Sequence, residues 1–546
     1  MDALAIAHKT IVQQKLEDRQ MRENLAAAMH TMQANRQRTI QSKFIDWEGL
    51  RERGRQIKDE TLNSLGKMLE TFERNAVSNG MQVHYASTSE DACTIVYELM
   101  RSRGIERVLK GKSMATEEIK LNHFLQERGI DAIETDLGEL IIQLNGEMPV
   151  HIVGPALHKN RYEVGQIFHE HLGAPLESDI EKLNAIAREH LRSDFARLKM
   201  GISGVNFAAA SEGALWLIEN EGNGRMCTTA PDIHVAVCGI EKLVPSLEDA
   251  ATIAHLLTPS TTGQLIPAYC NIITGPRKAG EKDGPREVHV ILLDNRRSSL
   301  LAHRELHEAL RCIRCGTCLN FCPVFDKIGG HAYRSIYTGP IGEVITPNIF
   351  GIKEHGEMLS LCTQCGRCSE VCPEKIPLAR LIRHLRAIRA GQMPGIPQPA
   401  QAESAAATAA ASAAGQAHLS ADTTHSAAPE LPASGGAADA CPGTDKALPE
   451  QQATAQQLSA LQAPQLSDDG SKAERMAVEL YARAAVNSQL WSMGAASAVM
   501  FNSILKPVLP HTPGIKGWAR YKELPKLGTL SGLVKKVRDL PDVTVE

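Results

Sequence analysis

A chain of 546 residues is more than one hydrophobic core serves, and at roughly 150 residues per domain it implies three or four units. The composition, 43% hydrophobic and 22% charged with a net charge of −4, is that of a soluble globular protein. So small a net charge gives no electrostatic basis for a nucleic-acid partner. The N-terminus, MDALAIAHKTIVQQKLEDRQ, lacks a basic region followed by an apolar run and a cleavage site, which points to the cytoplasm. Thirteen cysteines in an unexported chain are not expected to form a disulfide scaffold, so their spacing needs another explanation.

Residues 1–80 are rich in Gln, Glu, Arg, Lys, Met and Ala, and predict two or three long amphipathic helices in an N-terminal arm. From residue 81 short β-branched runs alternate with helical pattern. Gln82–Tyr85, Arg107–Lys110 and Asp131–Thr135 read as strands, with a helix from Glu90 to Ser102. Ser113 and Thr116 compete to cap the helix that follows the second strand. Gly213–Glu219, Ile233–Cys238 and Val288–Asp294 continue the strand pattern, the first two separated by the turn-rich Asn220–Gly224. The alternation predicts βαβ units and a mainly parallel sheet over residues 81–300.

Residues 301–392 hold two cysteine runs flanked by helical sequence, Leu300–Arg311 before and Pro377–Arg389 after. Residues 393–472 are dominated by Ala, Pro, Ser, Gln and Thr, too poor in apolar bulk to offset chain entropy, and read as a disordered linker. Helical pattern returns over 473–546. Within it Ala484–Leu505 carries no charge and is long enough to span a bilayer, but Asn487, Gln489, Asn502 and four serines make burial against protein the better reading. The expectation is no transmembrane segment, with peripheral membrane docking left open.

The runs are Cys312-Ile-Arg-Cys315-Gly-Thr-Cys318-Leu-Asn-Phe-Cys322-Pro323 and Cys362-Thr-Gln-Cys365-Gly-Arg-Cys368-Ser-Glu-Val-Cys372-Pro373. Each is C-x2-C-x2-C-x3-C-P, in which three thiolates wrap one corner of a [4Fe–4S] cubane and the fourth ligates the other cluster. The expected sets are therefore Cys312, Cys315, Cys318 and Cys372 for one cluster, and Cys322, Cys362, Cys365 and Cys368 for the second. Structural zinc also accepts four thiolates, but usually from two separated C-x2-C pairs, not from a triplet followed by Cys-Pro. The 39 residues from Pro323 to Leu361 exceed what a compact bacterial ferredoxin needs and suggest an all-α, two-cluster ferredoxin domain.

Lys112–Glu118, Glu134–Glu139, Gly201–Ala208, Thr228–His234, Gly329–Tyr333 and Tyr337–Gly342 carry a further signal. In these stretches the chain resembles the iron–sulfur B subunits of lactate-utilisation complexes, a family whose α/β portion is called the LUD domain. The resemblance covers residues 1–392, and 473–546 more loosely; the insert at 393–472 departs from it. It implies an electron-transfer subunit of a complex oxidising L-lactate to pyruvate, with other subunits and an electron acceptor as partners.

Two other classes remain open: a self-sufficient dehydrogenase with substrate or flavin in the α/β domain, and a structural iron–sulfur subunit. His158, His234, Arg225, Arg277 and Glu219 have the chemistry that oxidation of a 2-hydroxy acid needs, but nothing in the sequence brings them together. Gly201-Ile-Ser-Gly204 and Gly222-Asn-Gly224 are not a dinucleotide fingerprint, and no P-loop is present.

Overall fold

The computed structural model describes residues 3–393. The linker, the C-terminal helical pattern and the uncharged stretch Ala484–Leu505 lie outside the described residues. No described helix is long and apolar enough to cross a membrane.

The chain opens with four helices, α1 (Ala3–Glu17), α2 (Arg19–Lys43), α3 (Trp47–Asn63) and α4 (Leu65–Ser78). Two starts follow from one side chain each. Asp18 accepts from the Met21 N–H at 3.0 Å and Asp46 from the Gly49 N–H at 2.7 Å, satisfying donors that a first turn leaves orphaned.

Ten strands follow: β1 (Gln82–Ala86), β2 (Arg107–Lys110), β3 (Asp131–Glu134), β4 (Met200–Gly204), β5 (Phe207–Ala209), β6 (Ala214–Glu219), β7 (Ile233–Gly239), β8 (Leu243–Val244), β9 (Tyr269–Ile273) and β10 (Glu287–Leu293). Six form a wholly parallel sheet in the order β1-β10-β7-β4-β2-β3. The expected parallel α/β domain is thus present. Every residue of β7 is buried, as befits a strand covered on both faces. Val235 and Val237 pack with Ile291 and Leu293 against α5 (Ser89–Arg101), whose buried face is Ala92, Cys93, Val96 and Met100. Ala236 and Cys238 face the other way, towards Phe72 and Ala76 of α4. Thr88 and Asp91 start α5 with a reciprocal capping box.

The remaining strands form a second sheet, β8-β5-β6-β9. β6 and β7, separated in sequence by Asn220–Gly224, therefore belong to different sheets, because the turn leads into a helix (Asn223–Thr229) and not directly into a hairpin partner.

The cysteine-bearing segment is helical, in short pieces. The continuous helix expected over Leu300–Arg311 is broken: a helix ends at Leu301 and a 3-10 turn covers His307–Arg311. His303 Nδ1 accepts from the N–H groups of Glu305 and Leu306 at 3.2 and 3.3 Å, a turn that competes with the helix ladder. After the second run a regular helix covers Leu378–Arg389 and buries Leu381, Ile382 and Leu385. The core of this segment takes in Met21, Leu25 and Met29 of α2 and Val150 and Ile152 from the α/β domain. Gly330 marks a close approach: a Cβ there would lie 1.9 Å from the Val150 carbonyl oxygen.

Candidate metal centre

The two cysteine runs adopt one local fold twice. Each is preceded by a 3-10 turn, His307–Arg311 or Gly356–Leu361, that delivers an extended cysteine, Cys312 or Cys362. The residue before the second cysteine of each run, Arg314 or Gln364, takes a left-handed backbone at φ 61° or 58°. That conformation turns its N–H onto the first sulfur: Arg314 donates to Cys312 Sγ at 3.4 Å and Gln364 to Cys362 Sγ at 3.3 Å. Gly316 and Gly366 follow at φ 74° and 80°, where a side chain would be strained, and short helices carry Cys318 and Cys368.

Cys312, Cys315, Cys318 and Cys372 line one small cavity, closed by Ile313, Ile341, Ile376 and Leu378. Burial pushes the Cys372 thiol well up, with Cys315 and Cys312 the nearest thiols to reinforce it. Burial also pushes Cys368 up to about 12, reinforced by Cys362, Cys322 and Cys365. The fourth cysteine of each run thus sits with the opposite triplet. Cys365 is exposed and Cys362 half-buried, whereas Cys315, Cys318 and Cys372 are buried. Four thiols gathered in an apolar pocket ionise together only against positive charge, which the iron of a cubane supplies. The all-sulfur donor sets fit a [4Fe–4S] group.

Each set has arginines and one buried glutamate as neighbours, Glu374 lining the cavity of the first. Beside the first, Arg36 lies near Cys315 and Cys372 and covers the rings of Trp47 and Phe321. Arg51 donates to the Cys372 carbonyl at 2.7 Å. Beside the second, Arg386 donates to the Cys362 carbonyl at 2.6 Å, and the buried Glu343 lies close to Cys322 and Cys362. Tyr333 is buried next to Cys322. None of these neighbours is visible from cysteine spacing. Two residues had another signal: Arg314 by its position inside C-x2-C, and Tyr333 by lying in the stretch Gly329–Tyr333 that carries the resemblance.

Arg314 also ties the first run to the α/β domain. Its Nη2 donates to Glu241 Oε1 at 3.3 Å and its guanidinium lies over the Tyr337 ring at 4.9 Å. Glu241 in turn receives Arg297 Nε at 2.5 Å, and Arg297 forks onto Glu118 with two bonds of 2.8 Å. Tyr337 and Asn295 donate to the same Glu118 carboxylate at 2.6 and 2.7 Å. Glu118, Glu241 and Arg297 follow β2, β7 and β10, so this buried network sits beyond the carboxyl ends of the parallel strands. Open α/β sheets place their ligands there.

Of the residues chemically suited to a 2-hydroxy acid, Glu219 and Arg225 are brought together, through the Arg225 N–H, and the rest are dispersed. His234 is buried within β7, paired with Ser203 Oγ at 2.8 Å, and burial lowers its pKa to about 3. Glu219 accepts from the N–H groups of Gly224 and Arg225 at 2.7 and 2.6 Å and from Asn271 at 2.9 Å. Arg277 lies in an exposed loop and donates to the Lys282 carbonyl. His158 pairs with Glu147 at 2.5 Å.

Comparison with known proteins agrees with this architecture. Residues 69–293 match the LUD domain and residues 308–376 a 4Fe-4S dicluster domain. The chain is 42% identical over 381 residues to the uncharacterized electron transport protein YkgF of Escherichia coli K12, covering 70% of this chain and 80% of that one. It is 42% identical to lactate utilization protein B of an Exiguobacterium species, covering 68% and 79%. Against lactate utilization protein B of Shouchella clausii the identity is 39%, with 69% and 79% covered. A LUD domain joined to a 4Fe-4S dicluster domain, at this identity across most of the relatives' length, places the chain in the lactate utilization protein B family.

Proposed function

We propose that the chain is the electron-transfer subunit of a complex oxidising L-lactate to pyruvate, and that it holds two [4Fe–4S] clusters. One set is Cys312, Cys315, Cys318 and Cys372; the other is Cys322, Cys362, Cys365 and Cys368. The observation that carries this reading is the sharing of one cavity by Cys372 and the triplet Cys312, Cys315 and Cys318 of the earlier run. When bound, the clusters supply one-electron redox chemistry.

The chain's own residues hold and tune them. Ile313, Ile341, Ile376 and Leu378 exclude water from the first set. N–H groups of Arg314 and Gln364 aim at sulfur, and such bonds favour the reduced, more negative state. The exposed Cys365 gives the second set an edge at the surface, where an electron partner would dock. Oxidising lactate releases two electrons and two protons, so another subunit is expected to manage that chemistry. In this reading the organisation is an arm (1–80), a LUD domain (81–300), a ferredoxin domain (301–392), a linker (393–472) and a C-terminal helical segment (473–546), in the cytoplasm.

The test is twofold. Anaerobically reconstituted protein should bind about eight iron and eight sulfide, as two cubanes require; half that iron, or stoichiometric zinc, rejects the assignment. Mixed with L-lactate in a stopped-flow spectrometer, the isolated protein should keep its cluster absorbance and bleach only with partner subunits. Bleaching alone at the turnover rate would make it the dehydrogenase.

A further inference from the structure

A second group of donor side chains lies apart from the cysteines. Glu147 follows the helix Leu137–Leu144, His158 precedes the helix Arg161–Leu172, and His331 opens a 3-10 turn beyond Cys322. One ligand atom from each lies within 4.8 Å of the other two. These are two imidazoles and a carboxylate drawn from three places in the chain.

Their surroundings suit a cation. His158 is 6% exposed, and its Nδ1 is a buried nitrogen with no hydrogen-bond partner. Its ring meets that of His331 edge-on, with centroids 4.9 Å apart. His331 Nε2 lies 2.8 Å from the Met148 carbonyl oxygen, the outer contact that fixes tautomer and orientation in a metal-binding imidazole. Lys159 takes Glu147 Oε1 at 2.7 Å, which leaves Oε2 facing His158 Nε2 at 2.5 Å. A proton now bridges that pair, and a metal ion is the alternative occupant.

We propose that Glu147, His158 and His331 form a three-ligand site for a divalent first-row cation of the zinc class. Two nitrogens and one oxygen match zinc's preferred donors, with water completing a tetrahedron. Calcium and magnesium demand oxygen ligands and do not fit. Donors about 2.1 Å from one zinc stand roughly 3.4 Å apart, so side-chain rotations would open the 2.5 Å Glu147–His158 pair and draw in spacings of at most 4.8 Å. Lys159 opposes a second cation, and the affinity therefore rests on the two imidazoles. The ion would clasp the LUD segment 147–158 to the cysteine module, beside the approach of Gly330 to Val150.

This inference stands independently of the electron-transfer reading. Reconstituted full-length holoprotein, washed with a mild chelator, receives one equivalent of zinc sulfate and is desalted. About one zinc per chain should remain with iron and sulfide unchanged, and the zinc X-ray absorption edge should report nitrogen and oxygen with imidazole scattering. His158→Ala/His331→Ala should lose at least tenfold in zinc retention. If that variant fails to fold, the near-isosteric Glu147→Gln should weaken retention and Lys159→Met strengthen it. Zinc washed out of the wild type, retained equally by these variants, or bound through sulfur would overturn the site.

Discussion

Replacing Arg297 by Met tests the network that joins the α/β domain to the first cysteine run. The side chains of Arg297, Glu118, Glu241 and Arg314 are 3%, 0%, 1% and 8% exposed, and their charges balance two against two. Without Arg297, Glu118 loses its forked partner, while Glu241 keeps Arg314 and the nearby Lys242 and Lys58. Breaking a buried pair from one side costs about 3–5 kcal/mol, because a charge stays buried without compensation. At 3 kcal/mol the folding equilibrium falls by roughly a hundredfold. Anaerobic urea unfolding, followed by tryptophan emission and cluster absorbance together, measures it. Cluster loss should move with unfolding, since Arg314 belongs to the Cys312–Cys315 loop. The defect should also depend on pH. Burial pushes the Glu241 carboxyl up, but Arg297, Arg314 and Lys242 outweigh it and hold the group at about 2. Its share of stability is therefore present above the ordinary 4.5 and lost as pH falls towards 2, and the variant should lose less across that window. Adding Glu118→Gln should recover part of the loss by removing one stranded charge. A loss below about 1 kcal/mol, or an added Gln that makes matters worse, would refute the reasoning.

Three further outcomes are expected. Cys372→Ser should perturb the electron paramagnetic resonance signal of the cluster held by Cys312, Cys315 and Cys318; a disturbance confined to the Cys362 cluster would contradict the cross-over. Arg36→Met removes a cation beside Cys315 and Cys372, so the midpoint potential of that cluster should fall, and an unchanged or raised potential in a redox titration would count against this. Glu139 is buried near Glu134, its Oε1 has no partner, and burial raises its pKa from 4.5 to about 8. The folded protein keeps that proton while the unfolded chain has lost it, so stability falls as pH rises from 4.5 towards 8. Glu139→Gln should flatten the slope, and thermal unfolding at pH 5 and pH 8 decides it.

What could be read from the sequence was whatever repeats at short range. Two identical cysteine spacings specify a local fold that needs no distant partner, and the structure repeats it down to the left-handed residues Arg314 and Gln364. The parallel sheet was equally legible, because β7 and β10 are apolar runs and the first strands alternate with helices. The division of strands between two sheets was not, since Ala214–Glu219 and Ile233–Gly239 look alike in pattern and differ only in their neighbours. Nor was the Arg297–Glu118–Glu241–Arg314 network: its members lie up to 196 positions apart, and Arg297 and Glu241 alone read as ordinary surface charges. Leu300–Arg311 has helical composition, but the His303 turn overrides it.

The first helices of the chain close over its last described module. Met21, Leu25 and Met29 share a core with residues 300–388, and His8 reaches the Ala332 carbonyl across 324 positions. At roughly 5–20 residues per second of synthesis, those apolar positions wait about 15–60 s for the surface they cover. The strap made first is thus fastened last. Cys322, whose neighbours Phe325 and Ile328 pack beneath α2, emerges only at the end of that interval.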